Sequence, residues 1–466
     1  MNSKAPIFEI LNFISATYMT KQKVKKISKA KVLSLGLFLL IPFFLLAQEN
    51  LKDSLLPEVT LKNAVDYAII HQPMIRQSLV DEAILETTIK SKLADWYPQI
   101  NFNYNLQHNF IRQSSLIGGT VIKLGADNTS LGAFTVSQNI FNKDVALANR
   151  TKGTVRLQAR QVTSSNKIDI AANVSKAFYD VLATLEQIKV SQTNITRIEH
   201  SLKDAYAQYT AGIADKIDYK RATITLNNAK ATLYSNDEML KAKQAYLKSL
   251  MGYPISGQLN IVYDSLQMEK ETIMDTMQAA NYNARIEYQL LTTQKKLLEY
   301  SVKYNKWSYL PTVALNGAYN LNYFNNAFSR IYSNMFPNSF AALTLAFPIF
   351  QGGKRKANIR GAELEVERNA LDIVNFQNNL NAEFTHAMSS YKSNYQNYLA
   401  LKDNLAVARE VYNIIELQYR SGIKAYLEVI TAESDLRTSE INYYSAMYQV
   451  LASKIDIQKA LGQITY

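Results

Sequence analysis

The sequence predicts a mainly α-helical chain with a transmembrane β-barrel portion, and three observations carry that prediction. Landmark motifs recur about 210 residues apart, so the chain reads as two copies of one plan. Each copy holds runs in which apolar residues alternate with Asn, Gln or small residues, the mark of strands with one apolar and one polar face. Each copy also holds a proline-free stretch of roughly 66 residues whose apolar positions step by three or four, a very long helix of roughly 100 Å.

The first element is an address. A basic stretch from Lys21 to Lys31 precedes the apolar run from Val32 to Ala47, and polar Gln48, Glu49 and Asn50 follow. This is the shape of a secretory signal peptide, with cleavage expected near Ala47, although Leu45 is larger than the residue preferred three positions before a cut. A membrane anchor is the alternative, but the run contains Pro42 and falls short of the roughly 20 apolar residues that a spanning helix needs. Residues 1–47 thus read as an N-terminal extension with a signal peptide, and Met1 and Met19 both stand as candidate starts.

Those 47 residues also distort the charge. They hold seven lysines against one acid, so the formal +12 of the 466-residue chain (51 Lys and Arg, 39 Asp and Glu) becomes 44 against 38, or +6, and the first reason to expect nucleic acid disappears. A 47% hydrophobic fraction excludes a disordered chain. The absence of cysteine excludes disulfides, thiolate metal sites and cysteine nucleophiles. No other segment reads as a spanning helix, so a membrane-embedded mature chain must cross as a β-barrel.

The repeat has four landmarks in one order. Tyr209-Thr-Ala-Gly-Ile213 returns as Tyr419-Arg-Ser-Gly-Ile423, Leu250-Met-Gly252 as Ala460-Leu-Gly462, and Phe134 to Phe141 as Leu343 to Phe350. Trp96 and Pro98 return as Trp307 and Pro311. The copies span about 58–260 and 270–466, each read as helix, strand, strand, long helix, helix. Strands are expected at about 99–110, 129–141, 311–323 and 339–350, with long connections at 111–128 and 325–338. Ile100, Phe102, Tyr104 and Leu106 set the apolar face of the first, and Leu343, Leu345, Phe347 and Ile349 that of the last. Long helices are expected at 143–208 and 353–418, with shorter ones at 73–97 and 214–250 laid in line beside the first. Four strands cannot close a barrel, which needs about eight, so two or three chains must share one.

The chain resembles a known family at this point. Val59 to Ala68 looks like its opening short helix, Trp96-Tyr-Pro-Gln-Ile100 like the approach to its first strand, Pro348 to Arg355 like its strand-to-helix exit, and Tyr419-Arg-Ser-Gly422 like its tip motif. The family is the TolC-like outer membrane efflux proteins, and the resemblance covers nearly the whole mature chain. It implies a homotrimer with a 12-stranded barrel in the outer membrane of a Gram-negative cell, four strands per chain, continuous with a long periplasmic α-helical barrel. It implies as partners a periplasmic adaptor (membrane fusion protein), an inner-membrane transporter and outer membrane lipids. Asn142-Lys143-Asp144 departs from the pattern that Gln351-Gly352-Gly353 keeps.

Several residues carry two readings each. Gly212 and Gly422, next to Ile213 and Ile423, end helices in left-handed geometry; the resemblance makes them periplasmic tips that meet the adaptor. Asp218 and Glu428 sit in the first turns of matching helices, where an acid offsets the helix dipole; the resemblance implies an acid at the Glu428 position lining the tunnel's narrow end, and three copies of Glu428 and Asp218 around an axis would make a cation-attracting constriction. Tyr419 and Lys424 match positions that hold the family's closed state, whereas Ile217 stands where a polar partner is expected. Pro98 and Pro311 break helices, or redirect the chain from tunnel to barrel. Trp96 and Trp307 are core residues or anchors at the membrane–water boundary.

No constellation supports catalysis, a cofactor or a metal. Gly352-Gly353-Lys354 lacks the earlier glycine and following Ser/Thr of a phosphate loop, and His71, His108, His200 and His386 form no ligand spacing. The reading is a passive exit duct for tripartite efflux or type I secretion, against a periplasmic coiled-coil adaptor or scaffold and, with no residues to carry it, an enzyme.

Overall fold

A computed structural model of the chain describes residues 56–466; the N-terminal extension and signal peptide read at 1–47 lie outside the described residues. In order the elements are α1 (Leu61–His71), α2 (Pro73–Ala94), β1 (Gln99–His108), β2 (Ser114–Ile117), β3 (Thr120–Lys123), β4 (Asn128–Phe141), α3 (Lys143–Thr210) and α4 (Lys216–Met251). Then follow α5 (Ser265–Glu271), α6 (Ile286–Lys306), β5 (Thr312–Asn325), β6 (Met335–Ala346), α7 (Lys354–Arg420) and α8 (Tyr426–Leu461). The long helices α3 and α7 run 68 and 67 residues, and α4 and α8 run 36 each.

Four strands form one antiparallel sheet in the order β1-β4-β5-β6, which leaves β1 and β6 as unpaired edges. The register aligns the apolar residues into rows across the sheet. Phe102 pairs with Phe134 and Phe134 with Tyr319, while on the other face Asn103 meets Ala133 and Ala133 meets Asn320. The rings of Phe102 and Phe134 lie 4.7 Å apart, a cross-strand contact that helps fix this register. On the polar face Asn316 donates to Thr344 at 2.9 Å. Ile100, Phe102, Tyr104, Leu343 and Leu345 are all exposed, so most of the apolar face is uncovered within one chain; Tyr332 packs on it at Tyr323, ring to ring at 5.1 Å.

The structure shifts the last strand. The sequence places it at 339–350, but β6 bonds along β5 from Tyr323↔Met335 to Thr312↔Ala346. The alternation through Phe347 and Ile349 continues past the point where β5 begins, and Pro348 has no N–H to give a ladder. Pro337 is tolerated inside β6 because β6 is an edge strand. The connection expected at 111–128 contains a hairpin of its own, β2 with β3 around Gly118-Gly119. A 3₁₀ turn at Phe328–Ser333 occupies the connection expected at 325–338.

The helices pack lengthwise, α2 and α4 along α3, α6 and α8 along α7, with α3 also against α8 and α6. The main core sits midway, where the segment joining the two copies wraps the bundle and Phe178, Leu182, Leu247, Tyr391, Tyr398 and Leu451 are buried together. Val59 and Ile261 form a parallel bridge there, tying the start of the first copy to that segment. Among the described residues no helix is long and apolar enough to cross a membrane.

Candidate functional site at the helical tips

Far from the sheet, the turns α3–α4 and α7–α8 share one backbone solution. Gly212 N–H donates to Tyr209 O at 3.0 Å and Ile213 N–H to Gln208 O at 2.9 Å; Gly422 and Ile423 repeat this with Tyr419 O and Gln418 O at 2.9 Å each. This paired closure of the last helical carbonyls requires the left-handed conformation, and the two glycines stand at φ of 72° and 76°. It leaves the next side chain outside the turn. Ile213 and Ile423 are accordingly 78% and 71% exposed.

The two turns pack on each other through a small core of their own, Ala205, Ala222, Tyr426 and Val429, with Tyr419 and Tyr219 against it. Tyr419 donates its hydroxyl to Gln208 Oε1 at 3.2 Å, which links the second tip to the first, and its ring lies 5.6 Å from that of Tyr426. Burial raises the Tyr419 phenol above its usual value, and the carboxylates of Asp218 and Asp204 add to the effect. Lys424 Nζ donates to Glu428 Oε2 at 2.6 Å across one helical turn. The structure therefore pairs Lys424 with Glu428, while Asp218 acts on Tyr419 through its charge. Ile217, where a polar partner is expected, is exposed and contributes no polar group.

The helices that leave the turns start differently. Asp215 caps α4 by accepting from Ile217 N at 2.9 Å, whereas Ala425 stands at the start of α8 and has no side chain to do so.

One residue of this region escaped the sequence reading. Glu433 is 3% exposed on α8, just beyond the tip core. Its nearest cation, Arg197 Nε, is 3.8 Å from Oε1, beyond hydrogen-bond reach, while Arg197 also holds Glu440 at 3.2 Å. Burial therefore prevails over Arg197 and Arg437, and with Glu416 nearby it pushes the Glu433 carboxyl up to about 7. A signal was available, since position 433 falls in the stripe Val429, Ala432, Leu436 that the helix buries.

At the other end Pro98 and Pro311 each stand immediately before a strand, β1 and β5. Neither tryptophan is a core residue: Trp96 is exposed, and Trp307 is half-buried with the Arg150 guanidinium 4.9 Å from its ring. Among the described residues no three His, Asp or Glu side chains cluster as metal ligands would.

Comparison with known proteins gives one answer throughout. The family model described as outer membrane efflux protein matches residues 64–253 and again 291–463. Outer membrane protein OprJ of Pseudomonas aeruginosa is 21% identical over 425 residues, covering 88% of this chain and 85% of its own. Outer membrane protein TolC of Escherichia coli is 18% identical over 430 residues, covering 88% and 84%. The crystal structure of the outer membrane protein VceC from Vibrio cholerae superposes with a TM-score of 0.68 at 12% identity, covering 86% of this chain and 96% of VceC.

Proposed function

The chain belongs to the outer membrane efflux protein family, and from that premise we propose that it is the exit duct of a tripartite efflux or type I secretion machine, a homotrimer that takes cargo from an inner-membrane transporter through a periplasmic adaptor. It is a channel protein of the outer membrane, and the relatives it matches are outer membrane proteins of Gram-negative bacteria. The observation that carries the reading is the open sheet. Four strands with both edges unpaired and one apolar face exposed can be satisfied only by further copies of the sheet and by lipid. Three chains give 12 strands. A soluble periplasmic scaffold leaves that apolar face against water, which argues against it.

Within this reading the tips carrying Gly212, Ile213, Gly422 and Ile423 are the surface offered to the adaptor. Asp218, Tyr419, Lys424 and Glu428 form the aperture at the narrow end, and Trp96, Pro98, Trp307 and Pro311 mark the passage from tunnel to membrane. No residue is assigned a catalytic role. Native mass measurement of the detergent-extracted protein should give three chains, and the band should migrate differently before and after heating. A stable monomer, or protein recovered from the periplasm without detergent, overturns the proposal.

A further inference from the structure

The helices that leave the sheet begin in opposite electrostatic styles. α3 starts conventionally, with Asn142 accepting from Asp144 N at 2.8 Å and an acid, Asp144, in its first turn. α7 starts with Gly353, which has no side chain to cap it, and its first three residues are Lys354, Arg355 and Lys356 with no acid among them. Three cations on the positive end of a helix dipole repel it and one another unless an anion sits among them.

Arg355 sharpens the point. It is only 9% exposed, yet its partners are neutral: the carbonyls of Pro348 at 2.7 Å and Ile349 at 3.0 Å, and the ring of Tyr309 at 4.7 Å. A guanidinium this buried ordinarily has a carboxylate or another anion against it. It lines a cavity of about 580 Å³ at the junction of sheet and helices, together with Lys143, Lys354, Trp307 and Phe347. No Asp or Glu lines this cavity. Asp144 lies outside the lining and accepts from the Tyr304 hydroxyl at 2.6 Å, while Lys143 Nζ lies 4.3 Å from the centre of the Tyr304 ring.

The cavity is two-sided. Its helix side carries the cations, and its strand side carries Phe141, Leu310, Ala346 and Phe347 where β5 begins and β6 ends. In the proposed duct that level is the periplasmic end of the barrel, beside the headgroups of the inner leaflet. A free phosphate would use only the basic wall. A phospholipid uses both, with its phosphate between Lys143, Lys354 and Arg355 and its glycerol and first methylenes along the apolar wall.

We propose that this junction cavity is a binding site for the phosphate headgroup of a phospholipid from the periplasmic leaflet of the outer membrane. The proposal rests on the chain's place in the outer membrane and is independent of what the duct exports or which machine it serves.

Trp307 lines the cavity and the chain has only two tryptophans, so Trp96→Phe leaves a single fluorescent reporter at the site. Detergent-extracted trimer carrying that change is titrated with dihexanoyl phosphatidylglycerol while Trp307 emission is followed. A saturable change is expected, absent with inorganic phosphate or dihexanoylglycerol at equal concentration. Lys143→Gln together with Lys354→Gln should weaken it about tenfold or more, the scale of losing charge-assisted contacts. Arg355 is left intact because its carbonyl bonds hold the turn. An equal response to inorganic phosphate makes this a free-anion site, and an equal response to dihexanoylglycerol makes it an apolar slot; either overturns the proposal, as does unchanged affinity in the double variant. Should that variant fail to assemble, the three ligands on the Trp96→Phe protein decide alone.

Discussion

The two tips have one backbone and two different locks. At both, the same pair of hydrogen bonds closes the helix over a left-handed glycine and thrusts an isoleucine outward. Beyond the isoleucine the chemistries part. The first tip is fastened locally, with Asp215 capping α4 and the rings of Tyr206 and Tyr209 5.6 and 5.0 Å from that of Tyr219. The second has Ala425 in place of the cap; Lys424 pairs with Glu428, Arg420 with Glu416, Ser421 donates to Leu417 O, and Tyr419 reaches across to Gln208. A cap holds a helix start whatever its neighbours do. The second tip lacks that cap and relies on contacts between side chains and across the two turns.

The largest effect expected from breaking this symmetry comes at the shared part. A Cβ at Gly212 or Gly422 meets no atom within 4 Å, so the main cost of valine there is the left-handed backbone, about 1–2 kcal/mol for each. Gly212→Val and Gly422→Val should therefore lower Tm alike and displace Ile213 or Ile423, with export falling while trimer level is kept. Loss of assembly in either would mean that its glycine serves folding only.

Next comes the buried acid behind the second tip. The Glu433 carboxyl is raised to about 7 from 4.5, so its contribution to stability is complete below pH 4.5 and is lost as pH rises through 7. Thermal unfolding of the trimer should show that loss, and Glu433→Gln should remove this part of the pH dependence and raise Tm at pH 8. The groups that face it are Arg197 on α3, Tyr412 and Glu416 on α7 and Arg437 on α8. An identical pH profile in the variant would show that Glu433 remains ionised against Arg197.

A smaller effect tests the lock of the first tip. Asp215→Ala should cost about 1 kcal/mol, and hydrogen exchange should accelerate at the start of α4 with that of α8 unchanged. Equal acceleration in both helices would erase the distinction drawn between the tips.

Smallest in stability and sharpest in function is the exposed pair. Lys424 with Glu428, both more than a third exposed, should contribute no more than about 0.5 kcal/mol. In planar bilayers Glu428→Gln should lower cation selectivity, whereas Lys424→Ala should raise it by leaving the carboxylate uncompensated, and should raise the open fraction. An unchanged reversal potential for Glu428→Gln would reduce that acid to a partner of the helix dipole.

What could be read from the chain was what depends on neighbours in sequence. Period-2 alternation located β1, β4 and β5 within about two residues, and the glycine turns followed from their repeated motifs. The end of β6 was misplaced because it is set by where β5 starts, a fact about a partner strand. The Gly118-Gly119 hairpin lies within reach of turn chemistry, since a glycine pair between short apolar runs marks such a turn. The burial of Glu433 beside Arg197, and of Arg355 under Tyr309, is made in part by segments far away in the chain. A buried charge is a property of packing, and only its misfit within an apolar stripe leaves a trace in the sequence.

The near-equal lengths of α3 and α7 make the molecule a ruler with two parallel scales. Each strut measures about 100 Å at 1.5 Å per residue, and their tips are bolted together by Tyr419 and Gln208. Seven residues inserted in one strut alone would lift its tip roughly 10 Å past the other and tear that joint. The reach of this duct across a wider or narrower periplasm can therefore change only by matched insertions or deletions in both struts and in the shorter helices beside them, so its gauge is inherited as a unit.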